Sequence, residues 1–518
     1  MALLSDVSMI SVSWVKILLT AACIFLVYKI VKYFTGEVRE IPPNTTNRRQ
    51  LHHNEQVLDI LSMEKSGSGN ICLGISITSK QSLVHEHVRD ALVLLAKRQP
   101  MLRAVIATMA GGNKYFEIKE INEVIAMFDI TISYVNASDW KDVWFEYTAK
   151  QRANGLLWRV VILQEEFMPD TEDCVNTLMF NFSHVCIDGV SSVKFCKQFL
   201  NNMNELANGT GWVDQQISSL DLMPPFHEIV TRGRMWHSLF NFMLAYCGLR
   251  PILKFCVQRL LGRFIEKKPN NPYHEQFPPN LLVPNSLIPS RLNVKIFTGD
   301  ETKNIIQACK ANNCTVTGAI TAAAHLAFCE LIQDDKSKNM KFESLFAING
   351  QRFCNPKPHD DYLGYFVYVN QDFYMKYVAG GGVDFWKLAQ ETTQQIKEFV
   401  GKEAYVVEAT LISAIIEPRD LVKLFINDKL FPKSGCNFIS SFGSFHLGEQ
   451  QHDTYKLHEC IINTLVHNMN CTFFHFNYTI NGKMTWQIAS NVTVDSNHAE
   501  KFSNLCFNRF SEMGLGVV

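Results

Sequence analysis

Hydrophobic and polar positions follow two different periods that replace each other along the chain. Residues 70–78, "NICLGISIT", alternate as a half-buried strand does. Residues 83–97 place Val84, Val88, Ala91, Leu92 and Leu95 at helical spacing, and residues 101–108, "MLRAVIAT", return to strand character. Residues 158–164, "WRVVILQ", and 175–183, "VNTLMFNFS", predict two more strands, the second with Leu178, Phe180 and Phe182 on one side. A helix follows, with Ser191 as its expected N-cap. Val193, Cys196, Phe199, Leu200, Met203 and Leu206 form its stripe, and Asn208-Gly209 stops it.

After a Pro-rich stretch at residues 269–289 the pattern resumes. It predicts a strand at 290–297, a helix at 300–312, and an apolar helix within 313–332 capped by Thr317. Strands are expected at 342–348, 438–441, 472–479 and 484–489. Asn481-Gly482 between the last two is a hairpin signal. The reading is an α/β chain with mixed or antiparallel sheets. A first lobe spans 50–210, a crossover 211–289, and a second lobe 290–518.

Two segments break the pattern. Residues 9–28, "MISVSWVKILLTAACIFLVY", carry a single charge, Lys16, and predict an uncleaved transmembrane anchor. Lys29, Lys32 and Arg39 follow it and Asp6 precedes it, so the body of the protein is expected in the cytoplasm. Residues 235–264 are apolar, broken at Gly248-Leu249-Arg250-Pro251 and basic in their second half. They fit either a helical pair in the membrane interface or a crossover packed on the core.

The 518 residues are 47% hydrophobic, enough to bury more than one core, and the 36 phenylalanines suit an apolar, lipid-handling interior. The net charge of -1 gives no sign of a nucleic-acid partner. The 15 cysteines include no C-x-x-C pair or His-rich cluster. That excludes a zinc site or disulfide framework as the organising feature and predicts reduced, buried thiols. Asn44, Asn136, Asn181, Asn208, Asn313, Asn470, Asn477 and Asn491 stand in glycosylation sequons, which go unused if the body is cytoplasmic.

Candidate chemistry sits where the strand ends, in residues 180–189, "FNFSHVCIDG". A general base must face a cleft with its ring held in one orientation, and a strand end before a helix start can do this for His184. Asp188 can point at that ring or tie down the loop. Gly189 allows positive φ or a close backbone approach. The same pattern also suits a structural histidine leaving the core.

The neighbouring motifs bear on that choice. Residues 94–106, "LLAKRQPMLRAVI", resemble the segment that precedes the H-H-x-x-x-D-G motif of peptide-synthetase condensation domains. Residues 313–328, 345–370 and 437–445 ("NFISSFGSF") resemble later segments of that superfamily, in order, over most of the chain. The chain resembles the chloramphenicol-acetyltransferase/condensation superfamily, in particular its alcohol O-acetyltransferase and wax-ester synthase-like branch. The resemblance implies two chloramphenicol-acetyltransferase-like lobes around a tunnel, with His184 as general base and no acyl-enzyme. It implies a structural Asp188 paired with an arginine, for which Arg103 and Arg352 are the candidates. Ser441 is a candidate oxyanion donor beside Gly443.

Ser183 stands where condensation domains carry a first histidine, which favours an alcohol acceptor over peptide synthesis. No carrier-protein segment is present, so acyl-CoA is the expected donor, as a co-substrate, with no bound cofactor and no metal. The expected protein is a single-pass membrane enzyme, of the endoplasmic reticulum, acylating a lipophilic alcohol. Amide formation and a catalytically inactive acyl-binding homologue are the alternatives. The oligomeric state is open, a monomer being plausible.

Overall fold

The computed structural model describes residues 47–64, 67–109, 112–149, 155–231, 242–243, 251–256, 259, 270–278, 291–332, 339–378, 384–401, 412–413, 415–425, 433, 435–448, 452–466, 469, 471–514 and 516. The expected anchor at 9–28 and most of 235–264 lie outside the described residues. Among the described residues no single helix is long and apolar enough to cross a membrane.

The first part of the chain supplies strands β1 (Arg48–Gln50), β2 (Ile71–Ser79), β3 (Ala104–Thr108), β4 (Lys114–Ile118), β5 (Ile130–Asn136), β6 (Trp158–Gln164), β7 (Glu166–Met168) and β8 (Asp173–Phe182). The second part supplies β9 (Leu292–Ile296), β10 (Asn339–Asn349), β11 (Val367–Val378), β12 (Gly435–Phe445), β13 (Lys456–Thr464), β14 (Cys471–Ile480) and β15 (Lys483–Ser490). One large sheet runs β13-β2-β8-β6-β5, with β7 paired to β8. The other runs β11-β10-β12-β14-β15-β9, and a small sheet runs β1-β4-β3. The β5–β6, β10–β12 and β12–β14 pairs are parallel and the rest antiparallel. The fold is a mixed α/β architecture with mixed and antiparallel sheets, as the alternating periods predict.

The strand Lys456–Thr464 comes from the second part of the chain yet forms the edge of the first sheet, against β2. Helices Gly189–Ala207 and His85–Arg98 cover that sheet. Phe180 and Phe182 of β8 meet Phe195 of the first helix edge-on, at ring separations of 5.0 and 5.1 Å. Phe195, Cys196, Phe199, Leu200 and Met203 of that helix are all buried in the same core, and their burial anchors the helix that follows His184. The second core forms around helix Val316–Ile332, whose Ala322, Ala323, Ala324 and Ala327 are wholly buried.

Three local expectations are corrected. Helix Gly189–Ala207 is capped by Asp188, not by Ser191, whose amide donates to the Asp188 carboxylate at 2.7 Å. Helix Val316–Ile332 takes its cap from Thr315, whose hydroxyl accepts from the Gly318 amide at 3.1 Å, and Thr317 lies inside the first turn. Residues Pro100–Arg103 form a 3-10 turn before β3 instead of extending it. The hairpin signal holds: Asn481 and Gly482 have φ of 48° and 80°, the pair of positive values that a type I′ turn requires. The described cysteines stand outside any disulfide, and most are buried. Asn181, Asn477 and Asn491 are buried in the fold, out of reach of a glycan.

Candidate active site

Strand β8 ends at Phe182, and six residues later Asp188 opens the helix Gly189–Ala207. His184 stands in the loop between them, half-buried. Its Nδ1 lies 3.0 Å from the Ile187 carbonyl oxygen. A carbonyl can only accept, so Nδ1 carries the proton and Nε2 keeps its lone pair. Burial lowers the imidazole pKa below 6.5, with Asp188 and the loop carbonyls pulling it back up. The group is therefore a neutral base at neutral pH, in one tautomer. The ring of Tyr365 meets it perpendicularly, at 88° and a centroid distance of 5.5 Å.

Asp188 is buried, and each carboxylate oxygen has its own partner. Oδ1 accepts from the Ser191 amide at 2.7 Å, and Oδ2 accepts from the Phe366 amide at 2.9 Å. Burial raises the carboxyl pKa, while the two amides and the imidazole favour its charged form. The expected arginine partner is corrected here. Arg103 donates to the Lys119 carbonyl at 3.2 Å and to Ser219 Oγ at 2.8 Å. Arg352 is exposed, donates to the Asn349 carbonyl at 3.2 Å and lies over the Phe353 ring. The helix N-terminus and the Phe366 amide do for Asp188 what a guanidinium was expected to do.

Gly189 serves a close approach. A Cβ there would lie 2.3 Å from Cε1 of Phe442. Phe442 also stacks on Tyr478, with rings 5.6 Å apart and 6° from parallel. It reaches both because β12 is irregular between Ser441 and Gly443 in its pairing with β14, and Gly443 has φ +102°. The "SSFG" run is thus joined to the histidine motif through Phe442 and Gly189. Ser441 Oγ accepts from Thr317 Oγ1 at 3.0 Å, which leaves the Ser441 hydroxyl proton available to another acceptor. Ser183 is buried, and its hydroxyl has no partner among the described residues.

Tyr365 was not singled out by its sequence context. The signal was its place in "DDYLGYFVYVN", part of the 345–370 stretch that resembles a later segment of the superfamily, in which no residue but Arg352 was given a role. Among the described residues no cluster of His, Cys, Asp or Glu suited to hold a metal is present.

The comparisons with known proteins agree with this architecture. The sequence model described as "Alcohol acetyltransferase" matches residues 140–506, which includes His184, Asp188, Gly189, Ser441 and Gly443. No curated protein matches the chain by sequence. Among solved structures, the trichothecene 15-O-acetyltransferase of Fusarium sporotrichioides is similar, with a TM-score of 0.65 and 11% identity over 90% of this chain and 95% of that one. The first condensation domain of the CDA synthetase has a TM-score of 0.58 and 10% identity, over 91% of this chain and 97% of that one. Polyketide synthase associated protein 5 of Mycobacterium tuberculosis has a TM-score of 0.56 and 10% identity, over 89% and 98%. At such identities the structures speak for the fold alone, a mixed α/β fold similar to those three. Because the family match runs over residues 140–506, well more than half of the chain, the chain belongs to the alcohol acetyltransferase family and is an O-acyltransferase.

Proposed function

We propose that this enzyme transfers an acyl group from acyl-CoA to a lipophilic alcohol, with His184 as general base. The observation that carries the reading is the His184 imidazole itself. Its Nδ1 is bound to the Ile187 carbonyl, burial keeps it neutral, and Nε2 is left free to take a proton. In the reaction, Nε2 removes the proton of the acceptor hydroxyl as that oxygen attacks the thioester carbonyl. The carbonyl electrons move onto its oxygen, and the Ser441 hydroxyl is the candidate donor to that oxyanion. Collapse re-forms the carbonyl, breaks the carbon–sulfur bond and expels the CoA thiolate, which recovers the proton from Nε2. Asp188 does not take part in proton transfer; it holds the loop and the Phe366 amide.

The membrane belongs to the same reading. It is supported by the apolar run at 9–28 and by the exposed Ile252 and Phe255 beside Lys254 on residues 251–256. An acceptor dissolved in the bilayer, with the catalytic body on the cytoplasmic side of the endoplasmic reticulum, gives that arrangement a use. Protease protection in sealed microsomes checks the side.

Purified protein incubated with acyl-CoAs and long-chain alcohols should form esters, and His184→Ala should lose about 100-fold or more in kcat. The rate should rise with pH and level off with an inflection below 6.5, because the neutral base is the active form and burial lowers its pKa. Ester formation that survives His184→Ala would sink the assignment.

A further inference from the structure

Among the described residues His184 has one hydrogen bond that orients it, and a ring tethered at a single atom can still swing about its Cβ–Cγ bond. The second restraint is Tyr365, which meets the imidazole at 88°. Perpendicular packing of this kind is the preferred geometry of paired rings, so it holds both planes instead of merely filling space. The two residues lie far apart in sequence, and the structure contains a specific device that brings them together.

That device is the stretch 361–366, which precedes β11 and has little backbone ladder of its own. Its polar backbone groups are taken up by side chains from the first part of the chain. Gln99 Nε2 donates to the Asp361 carbonyl at 2.8 Å, and Gln198 Nε2 donates to the same oxygen at 2.9 Å. Gln99 Oε1 accepts from the Leu363 amide at 3.2 Å. The Ser191 hydroxyl donates to the Gly364 carbonyl at 2.9 Å and accepts from the Gly364 amide at 3.2 Å. Asp188 accepts from the Phe366 amide. On the other side, the Phe366 carbonyl accepts from the Gly350 amide at 2.7 Å. Tyr365 is therefore pinned through both of its chain neighbours, and two of the pinning groups, Asp188 and Ser191, start the helix that follows His184. Gln99, Asp188 and Ser191 are fully or almost fully buried, so these bonds are shielded from water. One rigid unit thus carries the imidazole loop and the tyrosine.

We propose that Tyr365 is a positioning residue for the His184 base, held against it by the strap 361–366 that Gln99, Ser191 and Asp188 clamp. The proposal rests on the reading of His184 as base. In it, the ring orients the imidazole so that Nε2 faces the acceptor oxygen. The phenol stays protonated throughout the working range, because burial and the nearby Asp188 and Glu55 carboxylates raise its pKa. Loss of the ring releases the imidazole, and a misplacement on the order of 1 Å at a reacting group costs about 100-fold in rate.

The test compares Tyr365→Phe and Tyr365→Leu with wild type and His184→Ala in the ester-forming assay. Tyr365→Phe keeps the ring and should retain kcat. Tyr365→Leu should lose on the order of 100-fold in kcat with little change in KM for acyl-CoA, while remaining folded with a single cooperative melting transition above the assay temperature. If Tyr365→Leu does not fold, Tyr365→Met, unbranched and able to fill the space without a ring, takes its place in the comparison. Wild-type kcat in the ringless variant, with His184→Ala inactive, would overturn the role of Tyr365 and leave the base assignment standing. Full activity in His184→Ala would overturn the base assignment itself. A loss in Tyr365→Leu that follows a fall in melting temperature, and is shared by Tyr365→Phe, would mark Tyr365 as structural and also overturn the proposal.

Discussion

The residue that decides the geometry of the site is Asp188, through its two acceptor oxygens. One closes the first turn of a helix and the other holds an amide 178 residues away in sequence. An amide side chain has the same shape but only one acceptor oxygen, so Asp188→Asn must turn an NH2 toward either Ser191 or Phe366. Two donors then face each other in a buried place, at a cost of about 1–3 kcal/mol. Asp188→Asn is therefore expected to lower stability by that amount in urea unfolding and to lower kcat with it. Removal of the positive charge of Arg103 or Arg352 should not reproduce the effect, because neither touches the carboxylate. The sequence motif shows that an aspartate stands four residues after a histidine. It does not show what that aspartate holds, because a backbone amide has no residue-type signature and can be supplied by any position.

At the level of elements, the register of β12 and the start of the helix Gly189–Ala207 are adjusted to each other. The irregularity between Ser441 and Gly443 turns Phe442 onto Gly189, where the added Cβ of Gly189→Ala would come within 2.3 Å of its ring. A planar ring stacked on Tyr478 cannot give way cheaply, so Gly189→Ala should cost about 1–3 kcal/mol by overpacking. It should also displace the loop that carries His184. The double variant Gly189→Ala/Phe442→Leu separates this from any loss of backbone freedom. If the ring is the obstacle, the double variant recovers part of the stability and activity that Gly189→Ala loses, and a thermodynamic cycle gives a favourable coupling. Additive losses would exclude the contact as the cause. Strands with a clear pattern of their own were legible: β2, β6, β8 and the β14–β15 hairpin fall within a residue or two of expectation. The parallel pairs β10–β12 and β12–β14 were not, because a crossover leaves no turn signal between partners.

Across the whole molecule, the features missed in the sequence include those that join distant parts: β13 on the edge of the first sheet, and the strap that carries Tyr365. Periodicity reports which face of an element is buried but not which element buries it. The same limit hides the polar interior of the second core, where His325 and His475 are wholly buried. His325 Nε2 pairs with Ser344 Oγ at 2.9 Å. His475 Nδ1 accepts from Trp486 Nε1 at 3.3 Å, so its proton is on Nε2, directed at Asn437 Oδ1 at 3.0 Å. Protonation of His475 Nδ1 would set a second donor against the indole N–H. Burial lowers the His325 pKa to about 4, and burial together with its histidine neighbour lowers that of His475 to about 3. Both values lie below the ordinary 6.5 of an unfolded chain, so the unfolded state takes up protons first as the pH falls. Their stabilising contribution is complete above pH 6.5 and is lost as the pH drops from about 6.5 to about 4 for His325 and to about 3 for His475, on the order of 3 kcal/mol for His325 alone. Urea unfolding at pH 7, 6, 5 and 4 should show that decline. His325→Phe should start from lower stability at pH 7 and fall less steeply, because one of the groups that titrates on unfolding is gone. An equal slope in His325→Phe and wild type would mean that carboxylates elsewhere set the acid sensitivity of the fold.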